Sequence, residues 1–133
     1  MSSNMSIGER YQIVSALAPQ ALDAAKTSAY QSMANRFRVL AVVTTGTVAA
    51  TKKVTVQLKQ ATDSSGTGAK NLGTAVEATA GTGGEAIFLT AEAAVGDLDI
   101  ANGYSHVAVS VSTDDTNEPE AAAILLFDPA FRS

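Results

Sequence analysis

The segment Lys53–Gln60, KVTVQLKQ, decides the fold class. Apolar and polar side chains alternate along it without a break. The apolar set is Val54, Val56 and Leu58, and the polar set is Thr55, Gln57 and Lys59. Because successive side chains of a β-strand point to opposite faces, this period of two predicts a strand whose apolar set shares one face.

Similar segments lie on both sides of this strand and are separated by turn signals. They are Arg36–Thr44, Leu72–Thr79, Glu85–Thr90, His106–Ser112, with Val107, Val109 and Val111 on one face, and Ala122–Phe127. The last is apolar on both faces, which is typical of a central strand in a packed sheet. The connections are rich in Gly, Ser and Thr. Ala61–Asn71 is predicted to be a flexible loop, and Ala80–Gly84 is the strongest turn signal.

This spacing predicts a mainly β protein, either an antiparallel β-sandwich or a jelly-roll-like barrel with an N-terminal arm. We predict one domain, with an arm and a first strand or short helix in residues 1–35 and the sandwich core in residues 36–133. Glu9–Ala16 has the alternation of a strand. Pro19 interrupts it, so Pro19–Ala25 is expected to be a short helix or an irregular arm.

The composition excludes several classes of protein. The chain has 133 residues, no cysteine and a net charge of −4, and its nine Lys and Arg are scattered. Disulfide frameworks, thiol nucleophiles and a nucleic-acid-binding patch are therefore not expected. The sequence has no secretory signal and no apolar run of about 18 residues, so no membrane partner is expected either. The acidic residues Asp114, Asp115, Glu118 and Glu120 are predicted to form a solvated loop.

Two groups of residues have side chains suited to catalysis or metal binding. His106, the only histidine, follows Ser105 at the start of a strand, but no nucleophile motif supports a pairing of the two. Asp97, Asp99 and Asn102 resemble a calcium loop, yet Ile100 stands where a third ligand belongs. Alternation of Leu98 and Ile100 instead favours an edge strand in Ala91–Asn102. We therefore predict no catalytic residue, no cofactor and no metal: the protein is not an enzyme.

Three phrases in the sequence carry a resemblance to a protein family. They are QLKQATDSSGTGAKNL at residues 57–72, DLDIANGYSHVAVSVS at residues 97–112 and AAAILLFDPAFRS at residues 121–133. Together they resemble segments of small structural proteins encoded near the head genes of tailed bacteriophages. Within the second phrase, Asn102-Gly103 has the composition of a tight hairpin turn, and Tyr104 is placed to cap the core.

The resemblance implies a virion protein, specifically a capsid decoration (cement) protein bound to the major capsid protein at the capsid surface. Such a protein is made in the host cytoplasm and is expected to be a homo-oligomer, a dimer or a trimer. The arm Met1–Gly8 would then become ordered on binding. The partner-contacting residues are predicted among apolar and aromatic side chains outside the strand alternation: Ile13, Tyr30, Met33 and Phe131. For each of them an ordinary packing role is the alternative.

Two other functions fit the sequence. The first keeps the phage particle but places the protein in the head–tail connector, the tail or the baseplate. The second is a carbohydrate-binding β-sandwich, which would need an exposed aromatic patch. Tyr11, Tyr30 and Tyr104 are the tyrosines from which such a patch would be built.

Overall fold

The structure is a computed structural model that describes residues 11–129. Nine β-strands make up most of it, and their bounds are β1 Gln12–Ala21, β2 Lys26–Thr27, β3 Gln31–Ser32, β4 Arg36–Val48, β5 Lys53–Ala61, β6 Lys70–Thr79, β7 Glu85–Ala94, β8 His106–Thr113 and β9 Glu120–Pro129. Two 3-10 turns, Val95–Asp97 and Ile100–Asn102, lie between β7 and β8. Within the described residues, no helix has the length and apolarity needed to cross a bilayer.

The strands form two antiparallel sheets with the orders β1-β9-β4-β7 and β2-β8-β5-β6, and β3 also pairs with β8. Because β2 and β3 pair with successive parts of β8, they act as one interrupted strand. Apart from β5 and β6, which are consecutive, strands that neighbour each other in a sheet come from distant parts of the chain. The two sheets pack face to face as in a jelly roll. The predicted β-sandwich of jelly-roll type is confirmed.

The core lies between the two sheets and is lined by the alternating apolar residues. The sets predicted on β5 and β8 are all buried: Val54, Val56, Leu58, Val107, Val109 and Val111. In the ladder Val56 lies opposite Val111, and Leu58 lies opposite Val109. From the other sheet, β9 contributes the fully buried Leu125 and Phe127. Burial of each such side chain stabilises the fold by about 1.5–3 kcal/mol.

The first strand differs from its prediction because β1 runs through Pro19. β1 is an edge strand and pairs with β9 alone. A proline is tolerated there because the N–H that it lacks need not be one that a neighbouring strand requires. The short helix considered for Pro19–Ala25 is wrong, since the strand continues to Ala21 and a bend follows. β1, β2 and β3 are members of the two sheets, so the described part of the predicted arm is built into the sandwich. Residues 1–10, which include Met1–Gly8, lie outside the described residues.

The edge strand predicted in Ala91–Asn102 is also wrong. β7 continues to Ala94, and the two 3-10 turns then carry the chain from one sheet to the other. Leu98 is buried, whereas Ile100 is 60% exposed, so the two side chains do not share the environment that a strand would give them. Of the expected Asn102-Gly103 hairpin turn, only Gly103 has a positive φ, and it ends the second 3-10 turn.

The loop between β8 and β9 is more packed than the predicted solvated loop. Asp114, Glu118 and Glu120 are exposed, but the Asp115 side chain is buried. Its carboxylate accepts hydrogen bonds from the backbone N–H groups of Ala49 and Asn117. The acidic stretch therefore includes a structural aspartate, because backbone donors replace the water that a carboxylate otherwise binds.

The segment between β5 and β6 was predicted to be flexible, but it is a hydrogen-bonded loop. The Asp63 carboxylate accepts bonds from the backbone N–H groups of Ser65 and Thr67 and from the Thr67 hydroxyl at 2.7 Å. These bonds favour the ionised carboxylate and hold the pKa of Asp63 below its ordinary value. Local side-chain bonds of this kind fix a loop that contains few apolar residues.

Candidate interaction surface

The outer surface of the β1-β9-β4-β7 sheet is apolar, although it points away from the core. Its outward side chains include Ile13 on β1, Ile124 and Leu126 on β9, Leu40 and Val42 on β4, and Phe88 on β7, a set that we call the apolar face. Ile13, Phe88 and Ile124 are 56%, 64% and 36% exposed. The outward residues of a β-sandwich are usually polar, so this surface needs an explanation.

The strand ladder brings most of these side chains together. Leu126 lies opposite Ile13 on one side and opposite Leu40 on the other. Ile124, two residues along β9, lies opposite Val42. Side chains directly opposite each other have Cβ atoms about 4.5–5.5 Å apart. These five residues therefore form one continuous apolar strip across three strands.

Phe88 extends the strip to the fourth strand. It lies opposite Thr44 on β4 and diagonal to Val42, which faces Thr90 in the ladder. Diagonal neighbours are about 7–8 Å apart, within reach of an aromatic ring. The apolar face thus crosses the whole sheet, from Ile13 on one edge strand to Phe88 on the other.

Charged residues border one end of the apolar face. Arg38 forms an ion pair with Glu92 at 3.6 Å between Nη1 and Oε2, and both side chains are more than half exposed. They line a depression of about 370 Å³ together with Tyr11, Leu40, Leu126 and Asp128. An exposed pair of this kind stabilises the isolated chain by about 1 kcal/mol at most. An apolar centre with a charged border is, however, the usual arrangement of a protein interface.

The opposite sheet presents a polar surface. Thr55, Gln57 and Lys59 on β5 point outward, as the sequence predicts. Lys59 donates to the Asn71 side chain at 2.8 Å, and the Gln57 side-chain amide donates to backbone carbonyls, including that of Leu72. The two outer surfaces of the sandwich therefore differ, and within residues 11–129 the connected apolar area lies on the β1-β9-β4-β7 sheet.

The four residues predicted to contact a partner are not in one place. Ile13 belongs to the apolar face. Tyr30 lies between β2 and β3 at the edge of the other sheet, where partial burial raises the pKa of its hydroxyl. Met33 is a core residue, 3% exposed, so its apolar surface is already covered within the chain. Phe131 lies outside the described residues.

Sequence reasoning missed the other members of the apolar face, although a signal for them was present. The runs VLAVV at residues 39–43 and AAAILLF at residues 121–127 are apolar on both faces of their strands. A central position in the sheet is predicted for residues 122–127 alone, and both β9 and β4 occupy such a position. In a two-sheet sandwich, however, a central strand still has one face toward solvent, so two-sided apolarity also predicts an exposed apolar surface.

The tyrosines considered for carbohydrate binding are divided between two surfaces. Tyr11 borders the apolar face. Tyr104 donates from its hydroxyl to the carbonyl of Gly68 at 2.7 Å, and Lys70 Nζ lies 4.3 Å over its ring. Tyr30 packs beside Gly66 in the same loop. Two of the three rings thus contact the loop between β5 and β6, and carbohydrate binding stays a prediction that a glycan screen would check.

The residues weighed for chemistry take part in local hydrogen bonds. Ser105 Oγ lies 2.9 Å from His106 Nδ1. Asp97 accepts a bond from the backbone N–H of Ala94 at 2.9 Å, which closes the first 3-10 turn. Asp99 pairs with the Lys70 ammonium group and accepts from the Asn102 amide, and both contacts lower its pKa. The Asp99 Oδ2 atom therefore accepts from two donors, the Lys70 ammonium group and the Asn102 amide.

Comparison with known proteins finds similar folds but no similar sequence. Neither protein-family models nor curated protein sequences give a match to this chain. Among solved structures, a chain of infectious bursal disease virus, strain Gx, is similar with a TM-score of 0.56 and 11% identity. The match covers 93% of this chain but only 33% of the viral chain, so our protein spans about a third of that relative.

Two structures of cowpea mosaic virus are similar over nearly the full length of both chains. Naturally occurring empty particles match with a TM-score of 0.50 and 8% identity, covering 99% of this chain and 92% of the viral one. An empty virus-like particle matches with a TM-score of 0.51 and 9% identity, covering 99% and 86%. At such low identities the likeness establishes a shared fold, the jelly roll, and nothing about partners.

Proposed function

We propose that this chain is a non-enzymatic structural protein of a virus particle, and more specifically a decoration protein that binds the major capsid lattice of a tailed bacteriophage. The observation that carries the proposal is the apolar face on the outside of a complete jelly roll. The sequence phrases that resemble phage head-region proteins support the phage context. The fold likeness to chains of virus particles is consistent with a virion role.

The apolar face has the properties that attachment to a capsid requires. It lies on a rigid sheet, so binding orders few side chains and costs little conformational entropy. Full burial of a fully exposed Ile or Phe side chain contributes about 1.5–3 kcal/mol, and the partly exposed side chains of this face contribute a share of that. Arg38 and Glu92 at its border supply charges that orient the partner. A decoration protein meets many equivalent lattice sites, so modest contacts of this kind stabilise the whole particle by mass action.

A binding experiment with capsids tests the role of the apolar face. Ile124→Lys places a charge at the centre of the face, and Ser112→Lys places the same charge on the polar surface of β8 as a matched control. We expect Ile124→Lys to weaken co-sedimentation with purified capsids by at least about tenfold, because a lysine would be desolvated in the contact. We expect Ser112→Lys to bind like the unsubstituted chain. Equal binding by both variants would remove the apolar face from the mechanism.

Copy number tests the position on the particle. Quantitative mass spectrometry of purified particles gives the ratio of this chain to the major capsid protein. A ratio near one, or a simple fraction of it, is expected for a lattice-wide decoration protein. A ratio of a few per hundred would place the chain in the connector, tail or baseplate instead. Particles without this chain would refute the virion role.

A further inference from the structure

The four sheet edges of the sandwich differ in how well they are protected against pairing with another chain. β1 contains Pro19 and two register irregularities. β2 and β3 are only two residues long each. β6 contains Gly73 at a φ of 73° and faces a register shift between Val56 and Leu58. Short strands, prolines and bulges are the usual devices that keep an edge from pairing.

β7 itself is regular. The one irregularity in its ladder, between Thr44 and Thr47, lies on β4, where two residues oppose Ile87 alone. β7 runs for ten residues, EAIFLTAEAA, without Pro, Gly or Lys, and its charges are Glu85 and Glu92 alone. It pairs with β4 on one side. Among the described residues, no strand pairs with its other side. A long, regular and partly apolar edge is a template for an added strand.

The hydrogen-bonding groups of this free edge can be assigned. The Ile87 N–H donates to the Thr45 hydroxyl on β4 at 2.9 Å, so Ile87 points toward β4. At the other end, the Ala94 N–H donates to Asp97, which lies beyond the strand and not on β4. Because neighbouring residues of a strand direct their N–H and C=O groups to opposite sides, the groups of Phe88 and Thr90 point to the free edge.

We infer that β7 pairs antiparallel with β7 of a second copy of this chain, about a two-fold axis at Phe88. In this register the Phe88 rings of the two copies lie opposite each other, and Thr90 faces Ala86 of the second copy. Cross-strand aromatic pairs of this kind are stabilising. The two β1-β9-β4-β7 sheets become one eight-stranded sheet, and the apolar face continues across the axis through the paired phenylalanines.

The charges of β7 do not oppose this self-pairing. In the register centred on Phe88, Glu85 faces Ala91 of the second copy and Glu92 faces Gly84. Each glutamate thus lies opposite a small uncharged residue, and no like charges lie opposite each other across the axis. The edge can therefore pair with itself, and a two-fold dimer uses the same patch on both copies. This inference does not depend on capsid binding.

Disulfide trapping tests the register, since the chain has no cysteine of its own. Under mild oxidation we expect Phe88→Cys to give a cross-linked species of twice the 13.6 kDa chain mass. Ala86→Cys and Thr90→Cys are each expected to stay monomeric alone, because their own copies lie four residues, roughly 13 Å, apart along the strand. A mixture of these two variants should cross-link. Equal cross-linking of all three variants alone, or of none, would overturn the register.

Sedimentation equilibrium on the cysteine-free chain tests the dimer itself. We expect the unsubstituted chain to show twice the chain mass at high concentration and Phe88→Lys to show the chain mass, because a lysine at the axis opposes a second lysine. Ile124→Lys, on the same surface but two strands away, should remain dimeric. Thr90→Pro provides a second edge variant, since it removes an N–H from the free edge alone, and circular dichroism checks the fold of each. A monomeric unsubstituted chain, or a dimer that survives both edge variants, would refute the proposal.

Discussion

The carboxylate of Asp115 accepts a hydrogen bond from the backbone N–H of Ala49 at 2.8 Å, across 66 residues of sequence. The contact joins the loop between β8 and β9 to the turn between β4 and β5, and thereby ties one sheet to the other. A second bond from the Asn117 N–H, at 2.9 Å, closes the loop itself. Both bonds favour the ionised form, so the pKa of Asp115 lies below its ordinary value.

Substitution of Asp115 tests the importance of this link. Asp115→Asn keeps the size of the side chain but removes the charge that strengthens both bonds. We expect a lower melting temperature, measured by circular dichroism. Asp114→Asn is the matched control, because Asp114 accepts one backbone bond, from Lys53 at 2.8 Å, and is exposed. A smaller decrease in melting temperature for Asp115→Asn than for Asp114→Asn would contradict a structural role for the buried carboxylate.

The stability of the protein is expected to decrease in acid. Asp23, Asp63, Asp99 and Asp115 all have pKa values lowered below 3.8 by hydrogen bonds or by a nearby lysine. Below about pH 5 the unfolded chain therefore binds more protons than the folded one, and the free energy of unfolding falls as the pH decreases through the folded pKa values. Urea titrations between pH 7 and about pH 2 would measure this decrease. For Asp115→Asn the free energy of unfolding should fall less steeply with decreasing pH. An identical pH dependence in the variant and the unsubstituted chain would exclude Asp115 as a contributor.

Adjacent residues on β9 should separate folding from binding. Leu125 is fully buried and Ile124 is 36% exposed on the apolar face. Leu125→Ala should lower the free energy of unfolding by about 2–5 kcal/mol, because it leaves a cavity in the core. Ile124→Ala should cost about 1 kcal/mol or less. Urea denaturation measures both, and a large loss for Ile124→Ala would mean that this side chain serves the fold of the single chain.

The strands with strict alternation were predictable from the sequence because their burial follows from local geometry. β5 and β8 have one apolar and one polar face, so Val54 and Val109 had to face a core. β1 was not predictable to the same extent. Whether Pro19 ends a strand depends on whether a neighbouring strand needs the backbone N–H that proline lacks. Only the sheet order decides that the strand lies at an edge.

The candidate surface was harder to predict from the sequence than the fold. Phe88 and Leu126 occupy positions that look like core positions, and nothing local distinguishes a residue that faces a second sheet from one that faces solvent. Asp115 presents the opposite case, since an acidic residue in a polar stretch is normally solvated. Its burial depends on the Ala49 N–H, which the topology brings to it from a distant turn.

A double-mutant cycle on Gly66 and Tyr30 would establish how the loop between β5 and β6 is held. Gly66 has a φ of 82°, and a Cβ there would lie 2.9 Å from the Tyr30 ring. Gly73 has a φ of 73° with open space around it, so Gly73→Ala measures the backbone strain alone, about 1–2 kcal/mol.

We expect Gly66→Ala to lower the free energy of unfolding by more than this in the unsubstituted chain, because the Tyr30 ring must move as well. In a Tyr30→Ala background its cost should fall to that of Gly73→Ala, as measured by urea denaturation. A cost that stays unchanged in that background would mean that the Tyr30 ring does not press on the loop.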